Sequence, residues 1–126
     1  MTSLLVSSFG FKHAPPPEAD LVLDVRFLPN PYYVESLRPR TGLDPATAAH
    51  VFHDGRAGAL LRHLVPLVEF LLAQEAGEAV AQRHVAVGCT GGRHRSVAIA
   101  EELARRLRRA GVAVRVTHRD LAAGDA

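Results

Sequence analysis

One continuous stretch of the chain decides the fold class: residues 85–116 read VAVGCTGGRHRSVAIAEELARRLRRAGVAVRV. Val85–Val87 is short and fully apolar, which is typical of a strand in a parallel sheet that is covered on both faces. Ser96–Ala110 carries an apolar stripe at helical spacing, formed by Val97, Ala100, Leu103, Ala104 and Leu107. Gly111 is a typical helix stop, and the alternating segment Val112–Val116 follows as a strand. A strand, a turn, a helix and a strand in this order predict an α/β protein with a mostly parallel sheet flanked by helices, of the Rossmann-like kind.

Two further strands and a long irregular segment precede this unit. Ser3–Ser8 and Leu21–Arg26 are short and apolar, and we expect both to be buried strands. Three consecutive prolines, Pro15–Pro17, exclude a helix from the connection between them. The stretch from residue 27 to residue 45 is irregular and rich in proline, and a loop of this length in a small domain is usually functional.

Two helices are predicted between the second and third strands. The first, at residues 44–53, begins with an Asp-Pro pair, which is a typical helix start. Gly55 and Gly58 are expected to interrupt the pattern before a longer helix at Ala59–Glu75. At the other end of the chain, Asp120–Ala126 is expected to be a frayed tail.

The composition is that of a single globular domain. The chain has 126 residues, of which 48% are hydrophobic and 22% charged, and this balance excludes a disordered protein. No apolar run approaches the roughly 18 residues that a membrane-spanning helix needs, and no signal peptide is visible. The single cysteine excludes a disulfide framework and fits a reducing compartment. We therefore expect one cytoplasmic domain, covering residues 1–126, with no membrane partner.

The segment Gly88–Ser96, between the third strand and the last helix, has the composition of an anion site. Its sequence, GCTGGRHRS, leaves the carboxyl end of a buried strand and opens a helix, which is where ligands bind to open α/β sheets. The glycines allow a tight turn that brings backbone N–H groups close to a ligand, and the helix N-terminus adds its positive dipole. Side-chain donors come from Thr90, Arg93, Arg95 and Ser96. These groups predict a site for phosphate or another oxyanion, although the segment is neither a Walker A loop nor a GxGxxG fingerprint.

The same segment contains the pattern Cys-x5-Arg-Ser, formed by Cys89, Arg95 and Ser96. This spacing resembles the catalytic loop of cysteine-dependent phosphatases, in which the cysteine attacks phosphorus and the arginine grips the equatorial oxygens. A thiol at a helix N-terminus beside arginine is a credible nucleophile. The alternative is that Cys89 is a small buried side chain beneath a binding loop, as most unpaired cysteines are. Both interpretations stay open, because the sequence does not identify an acid for the leaving group.

Candidates outside this segment are fewer. Asp24 and Arg26 stand at the end of the second strand, on the same sheet edge as the loop. They predict either a ligand contact or a buried ion pair that shapes the loop. His50 and His53 are one helical turn apart, but no third ligand accompanies them, so neither a metal nor a cofactor is expected. His118–Asp120 is similar to the catalytic triplet of kinases but lacks their Gly-rich nucleotide loop, so we assign it no catalytic role.

A basic cluster lies towards the end of the last helix. Its members share the exposed side of that helix: Arg105, Arg106, Arg108 and Arg109. Such a cluster is typical of a surface that binds nucleic-acid phosphates. Glu101 and Glu102 are expected to neutralise part of it through i,i+4 pairs with Arg105 and Arg106. With no aromatic platform for unstacked bases nearby, the sequence predicts at most weak RNA binding that decreases as salt rises.

Five separated motifs resemble one known family. In chain order they are Ser8-Phe-Gly-Phe-Lys12, Asp24-Val-Arg-Phe-Leu-Pro-Asn-Pro31, Leu37-Arg-Pro-Arg-Thr-Gly-Leu-Asp44, Gly88-Cys-Thr-Gly-Gly-Arg-His-Arg-Ser-Val97 and His118-Arg-Asp120. Together they cover nearly the whole chain and are similar to the C-terminal domain of the RapZ family of RNase adapter proteins, once called P-loop nucleotide-binding proteins. The resemblance implies an α/β domain similar to a subdomain of phosphofructokinase. It also implies a domain that senses glucosamine-6-phosphate, self-associates and, in enterobacterial members, binds small regulatory RNAs and an endoribonuclease.

The resemblance further implies where the ligand binds. The phosphate-holding part would fall on the loop residues Cys89, Thr90, Gly91, Gly92, Arg93, His94 and Arg95. The sugar-facing part would come from Asp24, Arg26 and the turn at Asn30-Pro31, followed by Tyr32 where enterobacterial members have a histidine. We expect a standalone domain without the family's N-terminal ATPase domain and basic tail, so no ATP-binding function is carried over.

The leading hypothesis is therefore a non-catalytic cytoplasmic sensor that binds a phosphorylated amino sugar through residues 88–96. A Cys89-dependent phosphatase is the first alternative, and an RNA-binding adapter is the second. The expected partners are a phosphorylated metabolite, further copies of the chain and, weakly, RNA or a protein.

Overall fold

A computed structural model describes residues 2–74 and 82–123 of the chain. The described part contains four strands, namely β1 (Ser3–Gly10), β2 (Leu21–Asp24), β3 (Gln82–Cys89) and β4 (Val114–His118). Its three α-helices are α1 (Pro45–Phe52), α2 (Arg56–Ala73) and α3 (Arg95–Arg109). A single turn of 3-10 helix spans Pro31–Tyr33. None of the described helices is long and apolar enough to cross a membrane.

The four strands form one sheet in which every pair is parallel. The strand order is β2-β3-β1-β4. Val6 of β1 is in register with Val85 on one side and with Val116 on the other, and Leu23 of β2 is in register with Val87. The expected α/β class with a parallel sheet flanked by helices is confirmed.

The hydrophobic core lies between one face of the sheet and the three helices. Alternate residues of β1 and β3 point to this face, and their buried side chains are Leu4, Val6, Val85, Val87 and Cys89. The same core contains buried residues of each helix: Val51 from α1, Leu61, Leu64 and Val68 from α2, and Ile99, Leu103 and Leu107 from α3. The residues that α2 and α3 bury in the core thus recur at helical spacing in their sequences.

On the opposite face of the sheet, the proline-rich connection between β1 and β2 packs against the central strands β1 and β3. The rings of Phe9 and Phe11 meet edge to face with centroids 4.9 Å apart. The Nδ1–H of His84 donates to the Glu18 carbonyl at 3.0 Å, and the hydroxyl of Ser7 donates to the His84 Nε2 at 2.7 Å. Helices therefore cover one face of the sheet, while the second face is covered only at its central strands and is exposed at Val22, Arg115 and Thr117.

The boundary between the first two helices differs from the expectation. α2 begins at Arg56, so Gly58 lies inside the helix, and Gly55, with φ +87°, is the break between α1 and α2. The carboxylate of Asp54 accepts a hydrogen bond from the Arg56 N–H at 3.0 Å and starts the helix. A glycine inside a helix costs only about 1 kcal/mol, which the packing of the apolar face of α2 outweighs. The predicted end of this helix at Glu75 lies outside the described residues.

Candidate functional site

The Gly-rich loop leaves β3 at Cys89 and enters α3 at Arg95, at the carboxyl edge of the sheet. Asp24, the last residue of β2, is in register with Gly88, and Gly10, the last residue of β1, is in register with Cys89. The ends of three parallel strands therefore meet around the loop. This is the edge at which open parallel sheets bind ligands.

A cavity of about 180 Å³ lies between this loop and the 3-10 turn. It is lined by Asn30, Tyr32, Tyr33, Cys89, Thr90, Gly91, Arg93, His94 and Arg95. The residues expected at the site from sequence are therefore brought together, with the exception of Asp24, Arg26, Gly92 and Ser96, which are not among the lining residues. Tyr33 is a lining residue that the sequence analysis missed. Its position directly after Tyr32 on a proline-flanked turn is the signal that could have found it.

Arg95 is the charge at the centre of this arrangement. Its side chain is only 6% exposed. Nη1 donates to the carbonyl of Arg26 at 2.5 Å, and Nη2 makes a long contact of 3.4 Å with the hydroxyl of Thr90. Nε is buried without a hydrogen-bond partner among the described residues, and no described carboxylate forms an ion pair with the guanidinium. A buried charge in this condition is costly, and an anion in the cavity would offset that cost.

The start of α3 adds further donors to the same place. Within the described residues, no side chain caps the first turn of this 15-residue helix. The first N–H groups of a helix have no partner inside the helix, and they carry its positive dipole end. The cavity therefore combines a helix N-terminus with an incompletely paired arginine, which is the chemistry of an oxyanion site.

His94 supports the loop from the side. It is 5% exposed, and its Nε2–H donates to the carbonyl of Arg40 at 2.7 Å and more weakly to that of Arg38 at 3.2 Å. Burial lowers the pKa of His94 below the ordinary histidine value, although the two carbonyls oppose the shift. Because the N–H of Gly42 also donates to the Arg93 carbonyl at 2.8 Å, residues 38–42 are held against the start of α3.

Cys89 lies beneath the loop. Its side chain is 2% exposed and belongs to the apolar core. The thiol donates to the hydroxyl of Ser96, which is itself fully buried, across 3.1 Å. This is the environment of a small structural side chain rather than that of an accessible nucleophile.

Two glycines of the loop, Gly88 and Gly92, pack closely against β1, and Gly92 also makes the tight turn that was expected. Gly92 has φ +77°, and a Cβ there would lie 2.5 Å from the Gly10 nitrogen. A Cβ on Gly10 would in turn lie 2.5 Å from the Gly91 carbonyl carbon, and one on Gly88 would lie 2.5 Å from the ring of Phe9. The close packing of the loop on β1 therefore accounts for glycine at residues 10, 88 and 92.

The triplet His118–Asp120 is hydrogen-bonded to the end of β1, beside the loop. The expected frayed tail is wrong for Asp120, which is 9% exposed and accepts a hydrogen bond from the Gly10 N–H at 2.7 Å. Arg119 donates to the carbonyls of Pro15 and Gly10 at 2.7 and 3.2 Å. His118 accepts from the Ser8 hydroxyl at 2.6 Å and donates to Glu101 at 2.8 Å. The buried N–H of Gly10 needs an acceptor, which is why the chain after β4 is ordered here; residues 124–126 lie outside the described part.

Replacing Asp120 by alanine is expected to lower the free energy of unfolding by about 1–3 kcal/mol, because it leaves the Gly10 N–H buried and unpaired. Burial opposes ionisation, but the Gly10 N–H and Arg119 hold the pKa of Asp120 below its usual value. A carboxyl with a lowered folded-state pKa stabilises the fold above the unfolded value of about 4, and this contribution disappears as pH falls through the lowered value. Urea unfolding at pH 7 and at lower pH should therefore show a difference in free energy of unfolding between the unchanged protein and Asp120→Ala, and this difference should shrink only below about pH 4. Glu35→Ala, at an exposed carboxylate, is the control; an equal effect of both variants would contradict the role of Asp120.

Asp24 and Arg26 form an ion pair at the rim of the site. Arg26 grips the carboxylate with Nε and Nη2 at 3.0 and 2.7 Å, and its guanidinium lies 4.1 Å from the centre of the Phe11 ring. The hydrogen bonds from Arg26 keep the pKa of Asp24 below its usual value. The expectation of a buried pair is wrong, since Arg26 and Asp24 are 48% and 47% exposed: they alternate with the buried Val25 and lie on the exposed side of the chain. The pair shapes the site indirectly, because the Arg26 carbonyl holds Arg95.

The basic cluster of α3 is largely engaged with its own surroundings. Arg105 and Arg106 both pair with Glu102, the latter at 3.0 Å, and Arg108 donates to the Val114 carbonyl at 2.9 Å. The expected pair between Glu101 and Arg105 does not form, because Glu101 bonds to His118 instead. Of these two glutamates, only Glu102 therefore pairs within the cluster, which is less neutralised than the sequence predicts and keeps Arg105, Arg108 and Arg109 exposed.

His50 of α1 and His53, the residue that caps the end of this helix, are in contact edge to face. The rings of His50 and His53 lie 4.9 Å apart. Within residues 2–74 and 82–123, no group of three or more metal-ligating side chains comes together.

Comparison with known proteins places the sequence of the chain in a family. The sequence pattern of the RapZ C-terminal domain matches residues 2–122. The chain is 46% identical over 119 residues to a protein of Nitratidesulfovibrio vulgaris, covering 94% of the chain and 41% of the relative. It is 51% identical over 114 residues to one from Anaeromyxobacter dehalogenans, covering 90% and 39%, and 50% identical over 117 residues to one from Gloeobacter violaceus, covering 93% and 39%.

All three relatives are named nucleotide-binding proteins. The chain spans about two fifths of the length of these curated relatives. Because the family pattern extends over nearly every residue, including the loop, the 3-10 turn and the His118–Asp120 triplet, the chain belongs to the RapZ C-terminal domain family.

Proposed function

We propose that this domain is a non-catalytic sensor that binds a phosphorylated small molecule in the cavity at residues 88–96, with an amino-sugar phosphate such as glucosamine-6-phosphate as its ligand. The observation that carries the proposal is Arg95, a buried guanidinium with an unpartnered Nε at the start of α3. A dianionic phosphate supplies both the missing charge and the missing acceptors. Its binding would be coupled to the fold through the Arg26 carbonyl and Thr90, which hold the same guanidinium.

The size of the cavity agrees with a phosphate group at its base. Its volume of about 180 Å³ is smaller than the roughly 300–1,000 Å³ of pockets that enclose whole ligands. It has room for the phosphate and the adjoining part of a sugar, while the rest of the ligand would lie along the turn that carries Asn30, Tyr32 and Tyr33. Asn30 already uses its side-chain oxygen to accept from the Tyr32 N–H at 3.1 Å, so its amide nitrogen is the group left for the sugar.

A nucleoside phosphate is the nearest alternative ligand. The names of the relatives refer to nucleotide binding, but those proteins are more than twice as long as the part that this chain matches. Both ligands carry a phosphate on a ring-containing group, and the proposed site would take the phosphate of either. The experiment below therefore includes one of each.

Two further functions receive less support from the site. A phosphatase needs an accessible thiolate, and Cys89 is 2% exposed and bonded to Ser96. An RNA adapter needs free backbone-binding charges, and in the cluster of α3 Arg105 and Arg106 share the carboxylate of Glu102, which leaves Arg108 and Arg109 as its other exposed charges. Self-association remains part of the proposal on the ground of the family resemblance, and a cytoplasmic location on the ground of the composition and the single cysteine.

We expect isothermal calorimetry to show saturable binding of glucosamine-6-phosphate and no binding of glucosamine, because the phosphate supplies the anion that Arg95 lacks. At a ligand concentration of about one hundred times Kd, the fold should gain about 2.7 kcal/mol of stability in chemical unfolding. Adenosine monophosphate and inorganic phosphate are titrated in parallel. Equal binding of glucosamine, or binding of none of the phosphates, would overturn the proposal. Release of inorganic phosphate during the titration, lost in Cys89→Ser, would favour the phosphatase instead.

A further inference from the structure

Tyr33 has the surroundings of a ligand-binding aromatic residue rather than those of a core residue. Its side chain is 80% exposed, which is more than any other large apolar or aromatic side chain in the part of the chain that the structure describes. It nevertheless lines the cavity whose base carries Arg95. Exposed aromatic rings are common singly, but one at the mouth of an anion site offers a broad apolar surface beside a charged base.

The turn that carries Tyr33 is rigidly held. Pro31 is buried at the start of the turn, and Asn30 caps it by accepting from the Tyr32 N–H. Arg38 donates to the Tyr32 carbonyl at 2.7 Å, and its guanidinium lies 4.9 Å from the Tyr32 ring. A ring presented on a fixed backbone loses little entropy when a ligand packs against it.

The two neighbouring tyrosines have separate roles in this geometry. The Tyr32 ring is half-buried against Arg38, so it forms part of the wall. The Tyr33 ring meets Tyr32 nearly at right angles, at 85° with centroids 5.8 Å apart. This contact uses one side of Tyr33 and leaves most of the ring in solvent.

We propose that Tyr33 is a specificity-determining residue that stacks on the ring of the bound molecule, so that the site selects ring-bearing phosphomonoesters over inorganic phosphate and over open-chain phosphates. The inference rests on the proposed phosphate site and names the class of ligand that this site takes. The apolar face of a pyranose and the face of a nucleobase share the chemistry that an aromatic ring recognises. Tyr33 therefore contributes affinity through the organic part of the ligand, while Arg95 contributes through the phosphate.

The test compares Tyr33→Ala and Tyr33→Phe by calorimetry with four ligands. The ring-bearing phosphates are glucosamine-6-phosphate and adenosine monophosphate, and the controls are inorganic phosphate and glycerol-1-phosphate. We expect Tyr33→Ala to weaken binding of a ring-bearing phosphate by roughly three- to tenfold and to leave the controls within twofold of the unchanged protein. Tyr33→Phe should keep the affinity, because the ring face and not the hydroxyl makes the contact. The ring-bearing phosphate that responds more strongly identifies whether the ring is a sugar or a base.

The outcomes separate this inference from the proposed function. If the phosphates bind and Tyr33→Ala weakens all four ligands equally or none of them, the stacking role is wrong and the phosphate site stands. If Tyr33→Phe loses as much affinity as Tyr33→Ala, the hydroxyl is the recognition group and stacking is overturned. If light scattering shows that Tyr33→Ala changes the oligomeric state instead, Tyr33 belongs to a contact between copies. If no phosphate binds, both the site and the inference fail.

Discussion

Arg95→Ala is expected to reduce the affinity for glucosamine-6-phosphate by roughly tenfold to a hundredfold. Hydrogen bonds between charged groups contribute about 1.5–3 kcal/mol each, and 1.4 kcal/mol corresponds to a factor of ten in Kd. Arg95 is the buried cation at the base of the cavity, and its Nε has no acceptor among the described residues. Arg95→Lys should recover only part of the loss, because an ammonium group cannot present the planar fork that grips two phosphate oxygens. Calorimetry at constant ionic strength measures both changes.

Two controls separate the loss of ligand contact from damage to the fold. Arg105→Ala removes an exposed arginine from the far part of the same helix and should leave the affinity unchanged. Because Arg95 also holds the Arg26 carbonyl, each variant is checked by circular dichroism and chemical unfolding before titration. A folded Arg95→Ala protein that binds the phosphate as tightly as the unchanged protein would place the ligand elsewhere.

Gly92→Ala is expected to destabilise the fold by about 2–5 kcal/mol, the largest effect on stability that we predict. Two penalties add at this position. The residue has φ +77°, which costs an alanine about 1–2 kcal/mol. The new Cβ would also lie 2.5 Å from the Gly10 nitrogen and 2.8 Å from the Phe9 carbonyl carbon, and backbone atoms cannot move aside as a side chain can. Against a typical total stability of about 5–15 kcal/mol, such a loss leaves a marginal protein.

Three other glycines separate the two penalties. Gly111 and Gly55 have φ of +90° and +87°, and a Cβ added at either would have no neighbour within 4 Å. Gly111→Ala and Gly55→Ala should therefore cost only the backbone strain of about 1–2 kcal/mol. Gly58→Ala lies inside α2 with its nearest neighbour, the Arg62 guanidinium, at 3.7 Å, and should stabilise the helix by about 0.5–1 kcal/mol. Urea unfolding of the four variants provides the comparison. A Gly92→Ala protein no less stable than Gly111→Ala would show that the loop does not pack on β1 as described.

Much of the architecture follows from local patterns in the chain. The apolar stripe of α3 predicts its buried face, since Val97, Leu103 and Leu107 are all buried. Helix α1 begins at Pro45 with Asp44 as its cap, as the Asp-Pro pair predicts. These features depend on residues within one or two turns of one another, so a local pattern contains the information that they need.

Contacts between distant residues could not be predicted in this way. Asp120 and Gly10 are 110 positions apart, and the hydrogen bond between them exists because β4 lies beside β1 in the sheet order. The short polar tail after β4 has the composition of a frayed end, and only the buried Gly10 N–H makes Asp120 a structural residue.

By itself, the sequence determined the α/β class and the parallel βαβ unit, and it predicted an anion site in the loop at residues 88–96, because each of these depends on periodicity and composition along a short stretch. Only the tertiary structure decided that helices cover one face of the sheet and that Tyr33 stands at the mouth of the cavity. It likewise decided that atoms of β1 occupy the space in which a side chain at Gly88 or Gly92 would lie. It also decided that Arg95 is buried with one donor unpartnered. Burial and pairing depend on which segments the strand order brings together, and that order arises from packing of the whole chain rather than from any one part of it.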